Sequence, residues 1–285
     1  MPNRSLFRLP WLLFVSAVWL STPVRSSPNL GDKHVKVELV SEQDALVPGK
    51  AIWLGIRFDL EDGWHTYWIN PGDSGEAPRI AWRLPAGFEA GEIQWPYPER
   101  LAAPPFADYG YQHQALLIAP IRPPAQLKEG QSAKIAALVD YLICQNVCIP
   151  GREQLELSLP VKNRAMSSAA RDLFNTTRSR LPRPAPRDWK VSVISLGAEF
   201  LLDLKGQQLA KAPQFFPLQA ELIENAAPQQ TTPLPGGIRL HLKKSTHLLQ
   251  PIARLRGIIV LGPEKAYLLD VPVSQKLGRV RRART

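Results

Sequence analysis

The sequence predicts an all-β protein: a two-sheet sandwich, a short helix with a Pro-rich connector, and a second, smaller β domain. Three observations predict it. Apolar and polar residues alternate along many short segments, and clusters of Pro and Gly separate those segments. With 28 Pro and 18 Gly among 285 residues, the chain carries too many helix breakers for a helical bundle. The hydrophobic fraction of 45% is that of a folded protein rather than a disordered one.

The amino terminus has the order of segments found in a secretory signal peptide, which predicts residues 1–26 as a removable leader. Arg4 and Arg8 precede the apolar run 11–20, and small or polar residues follow it. A membrane-spanning helix needs about 20 apolar residues, so this run is short for one; an uncleaved anchor or a buried helix is the alternative. We therefore expect an exported protein with no membrane span after cleavage. In a Gram-negative bacterium it would lie in the periplasm, where disulfides persist.

Residues 33–161 are predicted to form the sandwich. Residues 35–40 and 51–60 alternate in hydrophobicity, and Pro48-Gly49 supplies the turn between them. Further predicted strands span 80–84, 92–95, 114–121, 134–143 and 154–159. About seven short strands separated by turns are typical of a two-sheet sandwich.

Residues 162–188 are predicted to connect the two domains. Apolar side chains recur at helical spacing within 165–181, namely Met166, Ala169, Ala170, Leu173 and Phe174. Three prolines within 181–187 then predict an extended, solvated spacer.

Residues 189–274 are predicted to form the second, smaller β domain, with strands at 189–196, 200–204, 237–242, 254–261 and 266–273. Its histidines, His241 and His247, have no acidic residue beside them in sequence and are predicted to be ordinary surface residues. Residues 275–285 are predicted to be a basic, disordered tail.

The net charge of +10 does not indicate a nucleic-acid-binding protein, because the charge lies outside the predicted domains. The leader carries +3, residues 162–190 carry +6 and the tail carries +5, while all other residues total −4. A nucleic-acid-binding domain would carry its positive charge on a folded face with interleaved aromatic residues. We therefore expect no nucleic-acid partner.

The two cysteines, Cys144 and Cys148, end a predicted strand and precede the turn at Pro150-Gly151. A structural disulfide across so short a loop would contribute little, on the order of 2 kcal/mol from loop-closure entropy. A zinc or copper site needs further ligands, which could come from His65 or His113. Two free buried thiols are disfavoured in an oxidising compartment. The fourth possibility is a redox-active pair, in which one thiol resolves the mixed disulfide formed by the other.

Several motifs in the first predicted domain together resemble a known family. They are Gly63-Trp-His-Thr-Tyr-Trp68, Asn70-Pro-Gly-Asp-Ser-Gly75, Trp95-Pro-Tyr-Pro-Glu-Arg100, Tyr109-Gly-Tyr111 and Cys148-Ile-Pro-Gly151. With them, residues 33–161 resemble the amino-terminal domain of the thiol:disulfide interchange protein DsbD, and in particular its suppressor-of-copper-sensitivity ScsB branch. Phe215-Phe-Pro217 and residues 223–228 resemble the second β region of that branch.

The resemblance implies an immunoglobulin-like sandwich whose cysteines pass electrons by thiol–disulfide exchange, without a cofactor or a metal. It implies that Cys148 attacks the partner disulfide and that Cys144 resolves the mixed disulfide. It also implies a cap loop that shields the pair, matched here by Phe106, Asp108, Tyr109 and Gly110. Further site-lining positions are matched by His65 and Tyr67, and Asp108 could help to handle protons.

The sequence departs from that family in two respects. The DsbD cysteines are more widely spaced than this C-x3-C pair, although the ScsB branch resembles the present spacing. Full-length members also continue into a membrane segment and a thioredoxin-like domain, and nothing in this sequence resembles either one. The implied partners are therefore thioredoxin-like periplasmic proteins and a separate membrane electron donor, and the implied activity is that of a protein-disulfide reductase. A scaffold module with a structural disulfide and a copper-linked metal-binding protein remain as alternatives.

Overall fold

The computed structural model describes residues 33–207, 209 and 212–275, so the predicted leader and the predicted tail beyond Gln275 lie outside the described residues. The first β unit contains strands Val35–Ser41 (β1), Ile52–Leu60 (β2), His65–Gly72 (β3), Arg79–Arg83 (β4), Glu89–Ala90 (β5), Glu99–Ala103 (β6), Phe106–Gln112 (β7), Gln114–Arg122 (β8), Ser132–Cys144 (β9) and Cys148–Pro160 (β10). The remaining elements are Arg171–Ser179 (α1), Arg183–Pro184 (β11), Lys190–Leu196 (β12), Glu199–Lys205 (β13), Gln214–Pro217 (β14), Gln230–Leu234 (β15), Gly237–Lys243 (β16), Arg254–Val260 (β17) and Ala266–Gln275 (β18).

Two sheets of the first unit enclose one apolar core. One sheet has the order β1-β2-β8-β5, and the other has the order β10-β9-β3-β7-β6 with β4 also paired to β9. Alternate residues of β2, including Leu54 and Phe58, point into the core. The Phe58 ring meets the Tyr141 ring of the facing sheet edge-on, with centroids 5.7 Å apart. The predicted all-β, immunoglobulin-like sandwich is thus confirmed.

Two local predictions in this unit are wrong. Residues 92–95 form no strand and contribute only a bridge between Gln94 and Ile118; Pro96 and Pro98, which follow, have no N–H to continue a ladder. Conversely, β3 was not predicted, although it is the central strand between β9 and β7. Its residues from His65 to Trp68 are all buried, so they show no polar–apolar alternation.

The second unit is a sheet of the order β14-β17-β18-β12-β13-β16-β15, with β11 paired to β18. Its core is built from residues of most of these strands, among them Phe200, Leu202, Phe215, Leu240, Ile259 and Leu269. The five predicted strands of this region correspond to β12, β13, β16, β17 and β18, whereas β14 and β15 were not predicted.

The connector is docked rather than solvated. Helix α1 is shorter than the predicted span 165–181 and buries Phe174 completely against Leu116 and Ile118. The Arg178 guanidinium donates to both carboxylate oxygens of Glu42, at 2.6 and 2.7 Å, and lies 5.4 Å above the Trp53 ring. The Pro-rich stretch then joins the second sheet as β11. The connector was predicted to be solvated, but ion pairs with the sandwich hold Lys162, Arg178 and Arg180.

The two β units share an apolar contact. Phe216 of β14 is 1% exposed and belongs to the core cluster of the first unit. Its ring meets Trp68 and Tyr109 edge-on, with centroids 6.4 and 5.1 Å away. Buried Asn70 adds a polar contact, because its Nδ2 donates to the carbonyl oxygen of Pro217 at 2.8 Å. The second unit is therefore packed against the first through its own side chains and backbone.

Candidate functional site

The two cysteines form a disulfide between the last residue of β9 and the first residue of β10. Cys144 and Cys148 are partners across these strands, with Cα atoms 4.2 Å apart. Cys144 is only 3% exposed, whereas Cys148 is exposed and follows Val147, which is 64% exposed. Cys148 is therefore the solvent-exposed residue of the pair, and Cys144 is the buried one.

Tyr67 forms a hydrogen bond to the sulfur of the buried Cys144. Its hydroxyl donates to Cys144 Sγ at 2.7 Å and lies 3.6 Å from Cys148 Sγ. The side chain is fully buried, and Gly75 packs directly on its ring, where a Cβ atom would overlap the ring carbons. Burial, aided by the charge of Asp108, raises the pKa of Tyr67 to about 12. The hydroxyl consequently stays protonated at neutral pH and remains a hydrogen-bond donor to sulfur.

Asp108 and His65 lie beside Tyr67. Asp108 is 2% exposed, and its carboxylate accepts hydrogen bonds from the Ser74 backbone N–H at 2.9 Å and from the Ser74 hydroxyl at 2.8 Å. His65 pairs with Cys144 across β3 and β9, and its ring meets the Tyr67 ring edge-on at 5.2 Å. His65 Nε2 is buried, lies 3.9 Å from Asp108 Oδ2 and has no hydrogen-bond partner among the described residues. Burial lowers the pKa of His65, and the Asp108 charge opposes that shift.

The segment predicted as a cap loop is mostly a strand. Asp108, Tyr109 and Gly110 lie inside β7, which pairs with β3 on one side and β6 on the other. Because side chains alternate along a strand, Asp108 faces the cysteine side of the sheet and Tyr109 faces away from it. The Tyr109 hydroxyl donates to Asn225 of the second unit instead, at 2.8 Å. The prediction of a loop is therefore wrong for these three residues.

Gly110 and Phe106, the two end residues of the predicted cap loop, lie in different surroundings. Gly110 lies so close to the carbonyl oxygen of Thr66 that a Cβ atom would overlap it, which explains a glycine inside the strand. Phe106 begins β7 and is 54% exposed, on the same side of the strand as Asp108. Whether Phe106 covers the disulfide stays a prediction.

The structure thus gathers five of the predicted site residues, namely Cys144, Cys148, His65, Tyr67 and Asp108. Sequence reasoning assigned no role to three residues that support them: Asp73, Ser74 and Gly75. The motif Asn70-Pro-Gly-Asp-Ser-Gly75 was a sufficient signal that this turn matters, but its contacts with Asp108 and Tyr67 are not readable from the sequence. Within the described ranges no cluster of three or more His, Cys, Asp or Glu residues is arranged to hold a metal ion. Nor do those ranges contain a helix that is long and apolar enough to cross a membrane.

The chain is similar to one known protein family and to solved structures. Residues 36–160 match the family described as thiol:disulfide interchange protein DsbD, N-terminal. The structure is similar to the amino-terminal periplasmic domain of ScsB from Proteus mirabilis, with a TM-score of 0.65, 16% identity, and coverage of 88% of this chain and 97% of that one. The reduced amino-terminal domain of DsbD from Neisseria meningitidis matches with a TM-score of 0.30 and 15% identity, over 48% of this chain and 91% of that one. No curated protein sequence matches significantly.

The likeness to the ScsB domain extends over both β units, because it covers 88% of the chain. The family match is confined to the unit that carries the disulfide. Residues 36–160 are therefore similar to DsbD amino-terminal domains, and the chain has the fold of the ScsB periplasmic domain over the 88% that the likeness covers.

Proposed function

We propose that this protein is a periplasmic thiol–disulfide exchange protein that passes electrons to or from protein partners through Cys144 and Cys148. The observation that carries the proposal is the asymmetry of the disulfide: Cys148 is exposed, whereas Cys144 is buried and its sulfur accepts a hydrogen bond from a protonated tyrosine hydroxyl. The match of residues 36–160 to the thiol:disulfide interchange protein DsbD, N-terminal family supports it. The periplasmic location is supported by the leader-like sequence 1–26 and by the periplasmic source of the ScsB domain.

The exposure of Cys148 determines the order of bond changes. A partner thiolate attacks Cys148 Sγ, the bond between Cys148 and Cys144 breaks, and a mixed disulfide joins Cys148 to the partner. Cys144 leaves as a thiolate, which the Tyr67 hydroxyl stabilises by its hydrogen bond. The second thiol of the partner then attacks the partner sulfur that is bonded to Cys148. This step forms the partner's disulfide and releases Cys148. Two electrons and two protons have moved from the partner dithiol to the cysteine pair.

The reverse sequence reduces a partner. The Cys148 thiolate attacks the partner disulfide, and Cys144 then displaces the partner from Cys148 as the pair becomes oxidised. Because the pair holds only two electrons, each cycle requires a donor to reduce it again. We propose thioredoxin-like periplasmic proteins as the exchange partners and a separate membrane protein as the electron donor. The overall activity would be that of a protein-disulfide reductase.

The positions of His65 and Asp108 support a role in proton handling. A thiol must lose its proton to attack, and the leaving thiolate must eventually gain one. His65 is the side chain paired with Cys144 across the strands, and burial favours its neutral form, which can accept a proton. Asp108, 3.9 Å away, offsets part of the cost of protonating it.

Exchange with a purified thioredoxin-like protein tests the proposal. We expect the reduced protein to reduce an oxidised thioredoxin-like protein, with a transient mixed disulfide at Cys148 detectable by mass spectrometry after acid quenching. The matched control is the Cys144→Ser, Cys148→Ser double variant, which should leave the partner oxidised. If wild type and the double variant leave the partner equally oxidised, while dithiothreitol still opens the wild-type disulfide, the proposed function is wrong.

A further inference from the structure

Asn225 of the second unit directs its side chain entirely at the first unit. It lies between β14 and β15 and is 4% exposed. Its Nδ2 donates to Asp73 Oδ1 at 2.7 Å, and its Oδ1 accepts from the Tyr109 hydroxyl at 2.8 Å. Its backbone carbonyl accepts from the Arg100 guanidinium at 2.7 and 2.8 Å. One residue of the second unit therefore joins β6, β7 and the turn after β3.

The turn that Asn225 contacts is the one that holds the site. The other carboxylate oxygen of Asp73 accepts from the Ala107 N–H at 2.8 Å, which ties the turn to β7. The next residue, Ser74, makes the hydrogen bonds to Asp108. The residue after that, Gly75, packs on the Tyr67 ring. Unbroken contact thus leads from Asn225 through residues 73–75 to Tyr67, whose hydroxyl donates to Cys144.

The second unit also holds the start of this turn. Asn70 is 2% exposed, and its Nδ2 donates to the carbonyl oxygens of Pro217 and Gln219 at 2.8 and 3.3 Å. Its Oδ1 accepts from the Gly72 N–H at 3.2 Å. Residues 70–75 are therefore attached to the second unit at Asn70 and again at Asp73. Residues 73–75 lie outside the strands, and their one backbone hydrogen bond to a strand among the described residues runs from the Asp73 N–H to the Ala107 carbonyl oxygen at 3.2 Å.

The geometry points to Asn225 as a positioning residue for the redox pair, and to the second β unit as the element that holds residues 70–75 against Tyr67. This inference rests on the proposed function and gives the second unit a part in it. Interface hydrogen bonds usually contribute only stability. Here Asn225 bonds to Asp73, in the same turn as Gly75, which packs on Tyr67, the hydrogen-bond donor to the Cys144 sulfur. Loss of Asn225 should therefore change the chemistry of Cys144 as well as the stability of the fold.

Titration of a single cysteine tests the inference without any partner protein. In the Cys148→Ser background, the absorbance of the Cys144 thiolate at 240 nm is followed against pH. Removing the donor by Tyr67→Phe should lower the thiolate fraction at a given pH about tenfold or more. Asn225→Ala should lower it about threefold to tenfold. Burial lowers the pKa of His65, which lies beside this sulfur, so all variants are compared over the same pH range.

Two further variants separate positioning from general loosening. Gln229→Ala removes two hydrogen bonds to the Phe215 backbone, both at 2.7 Å, within the second unit, and neither bond involves residues 70–75. It should leave the Cys144 titration unchanged even if it lowers the melting temperature. Asn225→Asp keeps the size of the side chain and an acceptor for Tyr109, but places a carboxylate against Asp73. It should shift the Cys144 titration as Asn225→Ala does, and it serves if that variant does not fold.

The outcomes are distinct. A shift in the Asn225 variants, with none in Gln229→Ala, supports the inference. If the Asn225 variants titrate like their parent, if Gln229→Ala shifts equally, or if Tyr67→Phe has no effect, Asn225 does not position the pair. Those results would leave the proposed function standing, because exchange with a thioredoxin-like protein tests it separately.

Discussion

Replacing Cys144 by serine should convert the protein into a trap for its partner, and replacing Cys148 by serine should abolish trapping. The exposed Cys148 would still attack a partner disulfide in the first variant, and no thiol would remain to release the partner. In the second variant the remaining thiol is 3% exposed and cannot be reached by a folded partner. The expected difference is all or none.

Trapping is measured by non-reducing gel electrophoresis and mass spectrometry after mixing each variant with an oxidised thioredoxin-like protein. The complex should disappear on reduction with dithiothreitol. The Cys144→Ser, Cys148→Ser double variant is the control for non-covalent association. Equal trapping by the two single variants, or trapping by Cys148→Ser alone, would contradict the assigned order of attack.

Replacing Phe216 by alanine should destabilise the folded protein by about 3–5 kcal/mol, the usual cost of removing a buried aromatic ring. Phe216 is 1% exposed and is shared by both units, since its ring packs on Trp68 and Tyr109 of the sandwich. The free energy of unfolding is measured by denaturation in urea. Because Trp68 lies at this contact, its fluorescence should report the same transition.

Leu249→Ala is the matched control for that substitution. Leu249 is also an apolar residue of the second unit but is 85% exposed. Its loss should change the free energy of unfolding by no more than about 0.5 kcal/mol. If Phe216→Ala costs no more than Leu249→Ala, the two units do not share the apolar contact described above.

The sequence was most informative where one face of a strand is buried and the other is solvated. In β1 and β2 the alternation of apolar and polar residues predicted the strands within a residue or two of their observed ends. In β3 the signal failed, since both faces are covered and the side chains from His65 to Trp68 are all buried. Periodicity cannot identify a strand that has no polar face.

Strand β7 shows how polar residues can make a strand look like a turn in the sequence. Ala107, Tyr109 and Tyr111 alternate with Asp108 and Gly110, but Asp and Gly together are typical of turns. The structure satisfies the buried Asp108 with hydrogen bonds from the backbone N–H and the hydroxyl of Ser74, a residue 34 positions away. It uses Gly110 where the backbone of Thr66 leaves no room for a side chain. Both explanations depend on distant residues, so sequence alone could not supply them.

The sequence predicts the residues that carry the chemistry of the site, but it does not predict the residues that hold them in place. The cysteines, His65, Tyr67 and Asp108 stand out by residue type and by the motifs around them. Asn225 does not, because its partners Asp73 and Tyr109 lie 152 and 116 residues away. A lone asparagine between strands has no local pattern that predicts such contacts.

The reduction potential of the Cys144–Cys148 disulfide tests most directly whether this pair exchanges electrons. It is measured by equilibrating the protein with glutathione buffers and quantifying the reduced fraction after alkylation. A pair that exchanges with thioredoxin-like proteins should titrate between about −270 and −120 mV, the range of thioredoxin-fold oxidoreductases. A value below about −300 mV is typical of structural disulfides and would contradict the proposed exchange function.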